Sequence, residues 1–482
     1  HHHLCKMFRC AYHGLRLRRV VAGQDGQLRW CAMLPRFSTR RCFLTLLCVT
    51  ALLFVVVNLV AHQEDGANSS ASLKSKRSHL FESIILGPFE SWTHSTTSTV
   101  ADVEATETTI LAKEPLPWYM AKGERLPKPA KIAPSGRRLA KLWPGEDRGV
   151  DRIENQLMFS PPDPTELEKV KKILMFNGLT SWGLKPGRET FAECPVNTCS
   201  LSANRVDAED ADAILFKDHL VHPGIQRPPK QVWILYLLEC PYHTSHVKYN
   251  DLVNWTATYR SDSDIVAPYE KWVYHDAAVT EFQGPLRDFA ANKTDKVAWF
   301  VSNCGARNGR LQYAQELQKH IQVDIYGACG KHKCPRSLAE KCFELLDKKY
   351  KFYLAFENSN CKDYITEKFF VNGLGRNILP IVMGARPEDY AKSAPKHSYI
   401  HIDDFASPKE LAEYLHKLDR DDDLYNAYFK WKGTGEFINT HFFCRLCALL
   451  HDDFPAKSYR DVNEWWRGAG TCTTSSWRTM RD

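Results

Sequence analysis

The sequence predicts an α/β fold of two parallel-sheet domains facing a cleft. Three observations carry that prediction. Short apolar runs alternate with helical patterns from about residue 170 onward, the alternation comes in two successive blocks, and several runs end abruptly in polar and charged residues. Alternating β and α segments imply a parallel sheet covered on both faces, and ligands of such sheets bind outside the carboxyl ends of the strands.

In the first block, "ILMFNG" (173–178), "ADAILFKD" (211–218) and "QVWILYLL" (231–238) read as buried strands, with "NWTATYR" (254–260) as a further strand or strand edge. The second block is more regular. Its strands are "KVAWFVS" (296–302), "IQVDIYG" (321–327), "KFYLAF" (351–356), "NILPIVMG" (377–384) and "SYIHID" (398–403). Its helices are "GRLQYAQELQKH" (309–320), "SLAEKCFELLDKKY" (337–350) and a segment opened by Asp363, with terminal helices over 407–432.

Ahead of these blocks the chain changes character. Residues 1–41 hold nine Lys or Arg and one acid, a balance of +8, so the net charge of +7 leaves −1 for the remainder. The basic excess belongs to a tail, and the electrostatic case for nucleic acid disappears. Residues 42–61, "CFLTLLCVTALLFVVVNLVA", carry no charge, and their number matches the roughly 20 residues of a membrane-crossing helix. The run is long for a cleaved signal peptide, and no small-x-small cleavage site follows it. Arg36, Arg40 and Arg41 on one side and Glu64 and Asp65 on the other set the tail in the cytosol and the rest in a lumen. The reading is one transmembrane signal anchor. Residues 62–165, rich in Ser, Thr and Pro, read as a flexible stem. Three segments follow: 166–293 as a first domain, 294–432 as a second, and 433–482 returning to the first.

Sixteen cysteines fit a lumenal chain; five lie in the tail and anchor, leaving eleven. An odd number implies a free thiol or an intermolecular bridge. "CRLC" (Cys444, Cys447) is half a zinc pattern, but an oxidising compartment favours disulfides, with Cys194 and Cys199 as partners and connectivity open. Sequons at Asn68, Asn254 and Asn292 agree with lumenal exposure.

The chemistry concentrates in "YLAFENSNCKDYITEKFFVNGLG" (353–375). With Asp363 as N-cap, the helix runs to Gly373 or Gly375, and Tyr364, Glu367 and Lys368 share a face while Ile365 and Phe369 turn to the sheet. First-turn N–H groups and Lys368 suit a phosphate, Glu367 accepts from sugar hydroxyls, and Tyr364 stacks or donates. The same residues also describe an ordinary capped surface helix. "SNCGARNGR" (302–310) sits at the equivalent turn of the first βα unit, where Arg310 or Arg307 can reach a diphosphate. "LLECPYH" (237–243) puts Glu239 at a strand end as a candidate general base, with His243 second. "DSD" (262–264) and "HIDD" (401–404) look like metal-binding triplets, though turn roles suit Asp and Ser better.

The stretch 356–385, reading FENS, three residues, DY, one residue, TEK, then a P-I-V-x-G strand, resembles the signature of the α1,3-fucosyltransferases of glycosyltransferase family 10. "ECPYHT" (239–244), 254–272, 297–318 and "KWKGTGEFINT" (430–440) resemble its invertebrate branch that modifies the N-glycan core. The resemblance implies a GT-B type fold of two Rossmann-like domains and inverting transfer of fucose from GDP-fucose to the 3-hydroxyl of the Asn-linked GlcNAc. It implies Arg310, Asn358, Tyr364, Glu367 and Lys368 as donor-binding residues and Glu239 as the base, with no metal or other cofactor required. The implied partners are GDP-fucose, N-glycosylated proteins and the Golgi membrane, in a single-pass type II arrangement. Rival readings are transfer to outer N-acetyllactosamine, a metal-dependent GT-A type transferase, and a non-catalytic glycan-binding protein. Gly373 and Gly375 depart from the pattern and are expected to loosen the helix end.

Overall fold

The computed structural model describes residues 114–480, Pro455 excepted. The tail, the anchor segment and residues 62–113 lie outside the described residues; among those described, no helix is long and apolar enough to cross a membrane.

The first sheet consists of β1 (Lys171–Met175), β2 (Cys199–Ser202), β3 (Ala213–Lys217), β4 (Val232–Leu237) and β5 (Trp255–Thr258), all parallel, in the order β2-β1-β3-β4-β5. The second consists of β6 (Asp295–Phe300), β7 (Val323–Tyr326), β8 (Tyr350–Phe356), β9 (Leu379–Met383) and β10 (Ile400–His401), also parallel, in the order β7-β6-β8-β9-β10. Both sheets therefore reverse direction between their first and third strands. That reversal opens a crevice at the carboxyl ends.

Alternation along the strands feeds two cores per sheet. In β4, Val232, Ile234 and Tyr236 join one cluster while Trp233, Leu235 and Leu237 join another. In β8, Phe352, Leu354 and Phe356 face one side and Tyr353 and Ala355 the other. Because both faces are covered, β4 and β8 are buried at every position; β4 reads as a continuous apolar run, and β8 does so from Phe352 on.

The coverings differ. The second sheet has helices on both faces. Arg310–Leu317 and Pro408–Arg420 contribute Ala314, Leu317, Leu411, Leu415 and Leu418 to one core, and Ala339–Lys348 contributes Leu346 to the other. Helix Pro408–Arg420 starts where it does because Ser407 accepts from the Glu410 N–H and Pro408 needs no partner in the first turn. Connections in the first sheet are mostly short 3-10 turns. Its cover comes from far along the chain, in helix Phe442–Leu450, fixed by the Cys194–Cys444 and Cys199–Cys447 disulfides. "CRLC" is thus a disulfide clamp joined to the expected partners.

Two boundaries move. The stem does not extend to residue 165: Tyr119, Leu142, Trp143, Ile153 and Phe159 are buried, and Arg138 binds Asp452 at 2.7 and 2.8 Å. This strap buries isolated aromatic and aliphatic residues from turns, irregular backbone and one short helix, Ile153–Leu157, so it shows no sustained period. The C-terminal segment returns to both domains. Gly435–Ile438 pairs with Lys271–Tyr274, whereas Cys472–Thr473 pairs with Asn360–Cys361 of the second domain, and the Trp477 indole donates to the Gly384 carbonyl at 2.8 Å.

Candidate active site

The site gathers at the crevice of the second sheet. β8 ends at Phe356, and the next residue, Glu357, is 0% exposed. Its carboxylate accepts from the Thr366 N–H at 2.8 Å and hydroxyl at 2.9 Å, and pairs with Lys368 Nζ at 3.2 Å. Gly384 at the end of β9 makes room for it, since a Cβ there would lie 2.5 Å from Glu357 Cγ.

The helix start differs from expectation. Asp363 takes a left-handed conformation (φ 58), and its carboxylate accepts from the N–H and hydroxyl of Ser261 in the first domain, both at 2.9 Å. The cap is Thr366 instead, whose hydroxyl accepts from the Lys368 N–H. Only Glu367–Phe369 is α-helical; Phe370–Leu374 continues as a π turn. Glu367 and Lys368 stay together, with Lys368 Nζ 3.0 Å from Glu367 and 2.9 Å from Thr366 Oγ1. Burial works against the Lys368 ammonium, but the Glu357 and Glu367 carboxylates outweigh it and hold its pKa above the ordinary lysine range.

Tyr364, two residues before the cap, leaves that face. It is 1% exposed, packs against Tyr259 with ring centroids 5.1 Å apart, and donates to Glu239 at 3.2 Å. Glu239 follows β4, has a half-exposed side chain, and also lies 3.8 Å from His243 Nδ1. The base candidate of one domain thus touches the loop of the other that leads into Glu367 and Lys368. Tyr269 backs the junction by donating to the Leu238 carbonyl at 3.0 Å.

Arg310 is placed differently from a diphosphate clamp. It is 4% exposed, and its fork donates to the Phe356 and Asn303 carbonyls at 2.8 and 3.0 Å, lacing the two loops of the crevice together. Asn308 does the same from the neighbouring position, donating to the Glu357 carbonyl at 3.0 Å and to Asn360 Oδ1 at 2.9 Å. Asn358 is part-buried, and its Oδ1 is buried and accepts nothing among the described residues. Arg307 is exposed, 6.0 Å from the Tyr242 ring across the cleft. Sequence reasoning gave Glu357 and Asn308 no role. The signal for Glu357 was a carboxylate directly after the apolar run Phe352–Phe356.

The Asp triplets are structural. Asp262 pairs with Arg260 at 2.7 Å and Lys362 at 3.1 Å, while buried Asp264 accepts from the Thr256 N–H at 2.9 Å and Tyr459 at 3.0 Å. Asp403 accepts from Ser476 and the Trp477 N–H. The Asn254 sequon is also occupied by the fold: its amide donates to the Lys457 carbonyl at 2.7 Å and its Oδ1 accepts from the Trp233 N–H at 2.8 Å. Asn292 is exposed.

A crevice at two strand ends, a buried carboxylate–lysine pair and a carboxylate reaching across from a second sheet define a site of glycosyltransferase type. Residues 168–270 match the N-terminal fucosyltransferase domain, and residues 290–465 match the C-terminal domain of glycosyltransferase family 10 (fucosyltransferase). Over 378 residues the chain is 61% identical to the glycoprotein 3-alpha-L-fucosyltransferase A of Drosophila melanogaster, covering 76% of this chain and 75% of that one. It belongs to glycosyltransferase family 10. It is also 38% identical to the alpha-(1,3)-fucosyltransferase C of Drosophila melanogaster (57% of this chain, 70% of that one). To the human 4-galactosyl-N-acetylglucosaminide 3-alpha-L-fucosyltransferase FUT6 it is 39% identical (56% and 75%). A crystal structure of an α1,3-fucosyltransferase with GDP matches with a TM-score of 0.39 at 17% identity, over 59% of this chain and 92% of that one.

Proposed function

We propose that the protein transfers L-fucose from GDP-fucose, with inversion, to the 3-hydroxyl of the Asn-linked GlcNAc of N-glycans on glycoproteins. The observation that carries this reading is the 3.2 Å contact between Glu239 and Tyr364, which sets a half-exposed carboxylate of the first domain against the loop that holds Lys368. The 61% identity to an enzyme named for glycoprotein 3-α-fucosyl transfer supports the linkage and the acceptor.

In this reading the acceptor O3 bonds to C1 of fucose while its proton passes to the Glu239 carboxylate. The C1–O bond to the diphosphate breaks on the opposite face, and GDP leaves with the electron pair. Charge growing on the diphosphate is met by Lys368 and by backbone N–H groups of the loop and helix starts, fixed in place before reaction. Arg310 and Asn308 position those loops, and Glu367 offers an acceptor to fucose and ribose hydroxyls. The reading calls on no metal. It places the chain in the Golgi membrane as a type II protein, supported by the pattern of residues 36–65.

The test is transfer from GDP-fucose to a paucimannose N-glycopeptide beside free N-acetyllactosamine, with product linkage determined. An α1,3-fucosylated core is expected. Turnover of lactosamine alone would overturn the acceptor, and GDP-fucose binding without any transfer would overturn the reaction.

A further inference from the structure

The turn that follows Glu239 brings a second kind of chemistry to the base. β4 ends at Leu237, and Pro241–His243 makes one 3-10 turn in which the His243 N–H donates to the Cys240 carbonyl at 2.9 Å. Pro241 suits the first position of such a turn because it has no N–H to satisfy. The turn gathers three side chains of different types. A carboxylate oxygen of Glu239, the Cys240 sulfur and a His243 ring nitrogen all lie within 4.8 Å of one another. His243 Nδ1 is 3.3 Å from Cys240 Sγ and 3.8 Å from Glu239 Oε2. Around a tetrahedral zinc ion, with bonds of about 2.0–2.3 Å, neighbouring ligand atoms stand roughly 3.4–3.6 Å apart. The turn is close to that geometry, and the Glu239 side chain, 55% exposed, has room to take up the difference.

Cys240 decides what the cluster can hold. Every other cysteine among the described residues is paired in one of five disulfides, and Cys240 keeps its thiol. It is buried, and the thiol donates to Ser359 Oγ at 3.1 Å. A serine would make that bond as well. What sulfur adds is affinity for zinc and softer metals, which oxygen-seeking magnesium and manganese do not share. The outer partners that orient metal ligands are in place too. Tyr364 donates to Glu239 at 3.2 Å, and the Ser359 hydroxyl can turn to donate to a thiolate. The His243 side chain is 41% exposed, so an ion has a way in from solvent and can keep a water in its fourth position. The cluster of Cys199, Cys447 and His451 offers no such site, because its two cysteines are bonded to each other.

We propose that Glu239, Cys240 and His243 form an inhibitory zinc site, in which the metal takes the carboxylate that would otherwise accept the acceptor's proton. On binding, the Cys240 proton leaves to solvent, and the thiolate, neutral imidazole and carboxylate each give the ion a lone pair. The site stands on geometry; the inhibition rests on the transfer reading above. The test compares the full chain with its Cys240→Ser variant. Cobalt(II) is the spectroscopic probe, since a bound thiolate gives it a charge-transfer band in the near ultraviolet. The N-terminal histidines and tail cysteines bind metal equally in both chains, so the difference between the spectra reads this site. A thiolate–cobalt band present in wild type and missing from the variant is expected; identical spectra would overturn the site whether or not fucose moves. In transfer from GDP-fucose to an N-glycopeptide, zinc chloride should inhibit wild type, with chelator restoring activity. The variant should need more than about tenfold more zinc, since losing a ligand costs at least as much as losing an outer partner. Magnesium and manganese chloride should inhibit neither chain. Equal zinc sensitivity in the two chains, or equal inhibition by magnesium, would overturn the inhibitory role. Should Cys240→Ser not fold, His243→Gln makes the same comparison: weaker cobalt binding supports the site and unchanged affinity overturns it. A chain that shows the band but moves no fucose keeps the zinc site and loses the inhibition together with the transfer reading.

Discussion

At the residue scale the site is a set of pairings that make single substitutions unequal. Glu239→Gln keeps shape but cannot take a proton, so kcat should fall by about 10²–10⁴ while GDP binding, read by calorimetry, is kept. Tyr364→Phe removes only the bond to Glu239, and about a tenfold loss is expected. Lys368→Ala acts twice. It strips a cation from the donor pocket and leaves Glu357, 0% exposed, with Thr366 alone. Breaking a buried pair from one side costs about 3–5 kcal/mol, so a lower melting temperature should accompany the loss of donor binding. Full stability in that variant would show that Glu357 does not depend on the pair. Glu239, Tyr364, Glu367 and Lys368 stood out in the sequence as candidates through residue type and motif. Their partners did not, because Glu357–Lys368 and Glu239–Tyr364 span loops and sheets that only the fold brings together.

At the element scale the donor loop is held from outside its own sequence. Cys361 is bonded to Cys472, and the two-residue ladder beside it docks the C-terminus on the loop. Replacing both cysteines by serine should raise KM for GDP-fucose several-fold and affect kcat less, since it frees the loop without touching the base; an unchanged KM would show that the loop keeps its shape without the bridge. Gly384→Ala should be worse than Ala substitution usually is. Its Cβ would enter the Glu357 side chain, and its φ of 155 strains any L residue. Gly373 and Gly375 are not loose ends: a Cβ at Gly373 would lie 2.9 Å from Pro380, and one at Gly375 would lie 2.8 Å from the Val371 carbonyl. They let the π turn lie against β9, which the helical pattern of "TEKFFVNGLG" did not reveal. Capping preference put the helix start at Asp363, and the tertiary bond to Ser261 drew that side chain away.

At the scale of the whole molecule, two bridges tie the chain's end to its first domain, with sequence separations of 250 and 248. Either one closes the long loop; the other then closes only a few residues. In the chain-entropy account, the first closure is worth about 5 kcal/mol and the second about 2–3 kcal/mol. Removing one pair should therefore cost much less than removing the second pair from that variant, as denaturant melts will show; equal costs would contradict the account. The fold also answers to pH at its buried groups. Burial and the neighbouring Asp389 carboxylate hold the Asp363 carboxyl near 6, above its ordinary 3.8. The folded chain then keeps a proton that the unfolded chain has lost, so this contribution to stability is complete below about pH 4 and is lost as pH rises through about 6. Asp363→Asn should accordingly gain stability relative to wild type between pH 4 and 7. A gain that does not grow over that window would contradict the assignment.

The sequence by itself determined the strands of both sheets except Cys199–Ser202, and their parallel class, because these are written in local period and residue type; it also nominated Cys194 and Cys199 as partners of the CRLC pair, with connectivity open, and candidate site residues through contiguous motifs. It read the strap at 114–165 as stem because turns and one short helix that bury scattered aromatic and aliphatic residues have no period to detect. The tertiary structure alone decided which carboxylate meets Tyr364, where the donor helix starts, why Arg310 binds carbonyls, and that the C-terminus seals the donor loop. Those are contacts between residues up to hundreds of positions apart, and they exist only once two sheets with the same strand order present their carboxyl ends to one cleft.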